Sequence, residues 1–136
     1  ELRRSIYIQQ RRSRPVAMLE AFDAPQMEPN CELRQSSTVA TQSLAMMNST
    51  FMLRETTEFA KQLLADAVET KDGASLARSA WISTFAVEPT PEQVAQLSEF
   101  LANQTKIFEK DKNPMEKALA TLCQVLIETN AFLYVD

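Results

Sequence analysis

The segment TPEQVAQLSEFLANQTKIFEK, residues 90–110, decides the fold because it carries the signals of a complete helix. Thr90 is a preferred N-cap residue, Pro91 suits the first helical position, and Gln93 stands where a capping box needs it. Apolar side chains then recur at the spacing of one helix face. The residues of this face are Val94, Leu97, Phe100, Leu101 and Phe108. We therefore predict a helix over 91 to about 110 with one buried face.

Similar patterns on both sides of this segment predict four more helices. The helix predicted over 51–69 has apolar or small residues at spacings of three and four, so one of its faces is expected to be buried. That face consists of Met52, Thr56, Phe59, Ala60, Leu63 and Ala67. The predicted ranges are 36–48, with Ser36 or Ser37 as N-cap, then 51–69, 75–86 and 114–129.

The last two of these helices have their own local signals. Residues Ala77, Trp81 and Phe85 are four apart, which places them on one stripe. The sequence NPME, residues 113–116, predicts a second capping box, with Asn113 as the cap and Glu116 as its partner. The buried stripe of the last helix is predicted to contain Met115, Leu119, Leu122 and Leu126.

The short connections between these segments favour consecutive helices packed on one another. We predict an all-α fold, a compact bundle of about five helices with an extended N-terminal arm across it. The chain of 136 residues is expected to be a single domain, with the arm at 1–35 and the helical body at 36–136.

The arm is predicted to be extended because Pro15, Pro25 and Pro29 disfavour helix over this part of the chain. Alternating apolar residues indicate a short strand at 5–9, and a second is expected near 16–21. At the other end of the chain, the apolar residues Phe132, Leu133 and Tyr134 are expected to leave the helix and dock on the body.

Charge is distributed unevenly along the chain, whose formal net charge is −4. The first fourteen residues contain five arginines and only one acid, Glu1. Such a cluster favours pairing with acidic groups of the same protein or a neighbouring domain over nucleic-acid binding. The predicted interaction surface consists of Arg11, Arg12, Arg14, Glu20, Asp23 and Arg34.

Composition argues against several classes of site. The chain has no histidine and a single glycine, which disfavours His-based catalysis, common zinc sites and glycine-rich phosphate loops. We predict no catalytic, metal or cofactor site. Apolar runs are shorter than a membrane span, so no membrane insertion is expected.

Four features have two interpretations each. Cys31 and Cys123 either form a disulfide or are two separate buried thiols. Glu20 and Asp23 either form a paired-carboxylate site or, as we favour, meet nearby arginines. Trp81 is expected to be a core aromatic rather than a sugar-stacking platform. In the same way, core packing is preferred over a partner groove for the methionines Met46, Met47 and Met52.

Three stretches of the chain resemble the C-terminal part of a planctomycete secreted domain of unknown function. They are RRSIYIQQRRSRPVAMLEAFDAP (3–25), CELRQSSTVATQSLAMMNSTF (31–51) and LATLCQVLIETNAFLYVD (119–136). The resemblance implies an exported protein, periplasmic or extracellular, often with an upstream cytochrome c-type domain. It implies no catalytic residues.

The expected function is therefore a non-catalytic interaction or structural module of a larger exported protein, of which this chain is expected to be a fragment. Its expected partners are upstream domains of the same parent, with other exported proteins or polysaccharide as further candidates. The alternative is an accessory part of an extracellular polysaccharide-acting enzyme or a carbohydrate-binding module.

Overall fold

The computed structural model describes Tyr7, Phe22 and residues 40–67 and 72–133. The chain divides into two compact units, Glu1–Ala45 and Met46–Asp136. Within the described residues there are six helices and no strands, which confirms the all-α class. The helices are α1 Ala40–Met47, α2 Thr50–Asp66, α3 Gly73–Phe85, α4 Pro91–Ile107, α5 Pro114–Ile127 and α6 Asn130–Leu133.

Most of the predicted arm, 1–35, lies outside the described residues, as do the predicted caps Ser36 and Ser37. The division into arm and body and the single domain therefore stay predictions. Tyr7 is described, and it lies in a 3₁₀ turn with 71% of its surface exposed. The strand predicted over 5–9 is thus wrong at Tyr7, and its other residues and the strand near 16–21 lie outside the described ranges.

Helix α2 buries the face that its spacing predicts. Met52, Thr56, Ala60 and Leu63 are buried, and Phe59 is half-buried against the same core. Thr56 is polar, but its hydroxyl donates to the carbonyl oxygen of Met52 at 2.9 Å. The hydroxyl is therefore satisfied within its own helix and does not destabilise the core.

Helices α3 and α4 begin at side-chain caps. The carboxylate of Asp72 accepts from the Ser75 backbone N–H at 3.0 Å, and Thr90 accepts from the Gln93 N–H at 3.2 Å. The Gln93 side chain returns a bond by accepting from the Thr90 N–H at 2.8 Å, so the predicted capping box is confirmed. Local chemistry thus fixes where α4 starts.

Helix α5 occupies the centre of the bundle formed by the second unit. It packs most extensively against α2 and α4 and also contacts α3, while α3 packs on α4. Five residues of α5 are buried: Ala118, Leu119, Leu122, Cys123 and Leu126. The predicted stripe of Leu119, Leu122 and Leu126 is confirmed, and Met115 is half-buried beside it.

At the two ends of α5, one expectation is wrong and one is confirmed. Asn113 makes no side-chain hydrogen bond to the backbone of α5, because its amide donates to the Glu116 carboxylate at 3.1 Å instead. At the other end of α5, residues Asn130–Leu133 form the short helix α6, since the N–H groups of Phe132 and Leu133 bond to the carbonyl oxygen of Thr129. This short helix contacts α3 and α5 and Leu133 is half-buried, so the segment leaves α5 and docks on the body as expected, although Phe132 remains 44% exposed and Tyr134 lies outside the described residues.

Candidate functional site

The predicted interaction surface and one of the two cysteines lie outside the described residues. The prediction that these groups meet, and the alternative of a paired-carboxylate site, therefore stay predictions. The residues concerned are Arg11, Arg12, Arg14, Glu20, Asp23, Cys31 and Arg34.

Cys123 is the predicted site residue that the structure describes, and it lies inside α5 with no exposed surface. Burial raises the pKa of its thiol from an ordinary value of 9.0 to about 12. The thiolate is the reactive form of cysteine, so this side chain behaves as a small apolar core residue near neutral pH. Its pairing with Cys31 stays a prediction.

Trp81 lies on α3 and packs against the same core as Cys123. Its ring centroid is 4.6 Å from that of Phe85, with the two planes tilted by 58°. The indole N–H is buried, and among the described residues it has no hydrogen-bond acceptor. A sugar platform presents an aromatic face and polar groups to water, so this packing supports the expectation of a core aromatic.

Charged side chains of the second unit form short-range pairs on the surface. Lys61 lies 2.7 Å from Glu58, and this hydrogen bond raises the pKa of the Lys61 ammonium group. Arg78 lies 2.9 Å from Glu88, and Lys117 lies 3.0 Å from Asp111. All of these groups are substantially exposed, so each pair contributes little to stability. They form a solvated exterior and not a catalytic cluster.

An apolar surface is exposed where α1 passes into α2. Met47 and Phe51 expose 54% and 43% of their surfaces, and the Arg54 guanidinium lies 5.7 Å from the centroid of the Phe51 ring. We call Met47, Phe51 and Arg54 the junction surface. The Gln124 amide of α5 donates to the carbonyl oxygen of Met47 at 3.2 Å, which holds the last residue of α1 on the bundle. The junction surface is thus fixed in position.

The sequence interpretation missed this surface because it assigned three methionines to the core. Met46 and Met52 are indeed buried, but Met47 is not. Adjacent residues of an α-helix point about 100° apart, so Met46 and Met47 do not both face one core. That spacing was the signal for an exposed methionine.

Over 40–67 and 72–133, no group of three or more Cys, Asp or Glu side chains is arranged to hold a metal ion. None of the helices in these ranges is both long and apolar enough to cross a membrane.

Comparisons with known proteins give a family without an assigned activity. Searches of curated proteins and of solved structures return no match. A family model described as "PSD1: Protein of unknown function (DUF1553)" matches residues 1–101, about three quarters of the chain. The chain therefore belongs to this family, a protein of unknown function (DUF1553).

Proposed function

We propose that this chain is a non-catalytic interaction module of a larger exported multidomain protein. The observation that carries the proposal is the junction surface, where Met47 and Phe51 present apolar side chains to water on either side of the start of α2. Neighbouring exposed apolar side chains that form a contiguous patch are typical of contact surfaces. Cys123 and Trp81 pack in the core and do not serve as a reactive thiol or a sugar-stacking platform.

The partner in this proposal is the upstream portion of the same parent protein. The arginines of the N-terminal segment supply positive charge, while the rest of the chain is acidic. Arginine forms bidentate bonds with carboxylates, so acidic groups of a neighbouring domain are suitable partners. The residues proposed for this contact are Arg11, Arg12, Arg14, Glu20, Asp23 and Arg34.

Location outside the cytoplasm is also part of the proposal. It is supported by the resemblance to secreted planctomycete proteins, and it makes the redox state of Cys31 and Cys123 informative. A thiol titration of the denatured, unreduced protein tests the disulfide directly. Two free thiols exclude the bridge, whereas none before reduction and two after it establish it. Cell fractionation of the full-length parent tests the location independently.

Binding is tested by mixing the chain with the separately expressed upstream part of its parent and measuring affinity by calorimetry. The two contributions are separated with variants Phe51→Ser, for the junction surface, and Arg11→Glu with Arg12→Glu, for the arginine cluster. Each is expected to weaken binding at least about tenfold, a loss of about 1.4 kcal/mol.

The matched controls are Val125→Ser, which alters another exposed apolar residue, and Arg78→Glu, which alters another exposed arginine. Both are expected to leave affinity unchanged. Failure of the wild-type chain to bind the upstream part overturns the proposal. In that case, binding on a glycan array supports the carbohydrate-binding alternative.

A further inference from the structure

We draw no further inference here: the strongest candidate, the unpaired indole N–H of Trp81 on the core-facing side of α3, is covered by its neighbours, and nothing in the structure shows which acceptor or ligand meets it.

Discussion

Helices α4 and α5 both begin with proline, yet different forces specify them. Helix α4 has a complete capping box at Thr90 and Gln93, and of its residues, all of which the structure describes, Leu101 alone is buried. Helix α5 lacks a side-chain cap to its backbone but buries five residues. The start of α4 is therefore specified by local hydrogen bonds, whereas α5 is specified mainly by the burial of its apolar face.

The variant with the largest expected effect on stability creates a cavity at α5. Leu122 has no exposed surface, so Leu122→Ala is expected to lower the free energy of unfolding by about 2–5 kcal/mol. Urea unfolding followed by circular dichroism measures this loss. The matched control Val125→Ala changes a neighbour that is 45% exposed and should cost about 0.5 kcal/mol or less. Equal losses for the two variants would mean that α5 is not the core helix.

The buried thiol of α5 predicts a dependence on alkaline pH. Its pKa is raised in the folded state to about 12, so the folded protein keeps a proton that the unfolded chain loses from about pH 9. The contribution of the thiol is complete below pH 9 and is lost as pH rises toward 12, by about 1.4 kcal/mol per pH unit within this window.

Lysines and tyrosines titrate in the same range, so the measurement is a comparison with Cys123→Ala. Stability is determined by urea unfolding at several pH values from 7 to 11. The difference in unfolding free energy between the two proteins should narrow above pH 9, because the Cys123 thiol is the titrating group that the variant lacks. When both proteins are kept reduced, a difference that stays constant with pH would show that Cys123 is not buried as described.

The two helix starts predict unequal effects of cap removal. Thr90→Ala removes the hydroxyl that accepts from Gln93 N–H, and it is expected to cost about 1 kcal/mol. Asn113→Ala removes only an exposed bond to the Glu116 side chain and is expected to cost a few tenths of a kcal/mol. Thermal unfolding of both variants ranks them. A larger loss for Asn113→Ala would reverse the comparison between α4 and α5.

A further small effect, a gain in stability, is expected at the end of α3. Ala86, the C-cap residue, has φ of 56° and ψ of 21°, a left-handed conformation in which a Cβ atom is unfavourable. We expect Ala86→Gly to stabilise the protein by about 0.5 kcal/mol, after allowing for the greater entropy of glycine in the unfolded chain. The control Ala102→Gly, at an exposed site within α4, should instead cost about 1 kcal/mol.

Sequence patterns predicted the features that depend on neighbouring residues. The capping box at Thr90 needs only residues three apart, and the buried face of α2 needs only regular spacing. Asn113 matched the same cap pattern but failed because its amide bonds to the Glu116 side chain rather than accepting from the backbone. Spacing alone does not distinguish these two bonds.

The candidate site was predicted less well because the contact that holds Met47 is tertiary, although its exposure follows from its position next to Met46. Met47 is adjacent to a buried methionine, and its carbonyl oxygen meets Gln124 from a helix far along the chain. No local pattern contains that contact. The proposed arginine and carboxylate contacts stay predictions, since those residues lie outside the described ranges.

The position of α5 has a practical consequence for recombinant expression. The family match ends at Leu101, within α4, whereas α4 continues to Ile107 and α5 follows. A gene fragment cut at residue 101 would stop in the middle of a helix and omit the segment that covers α2, α3 and α4. Such a polypeptide would leave those faces in water and is expected to aggregate, whereas a fragment that continues through Leu133 retains every buried residue that the structure describes.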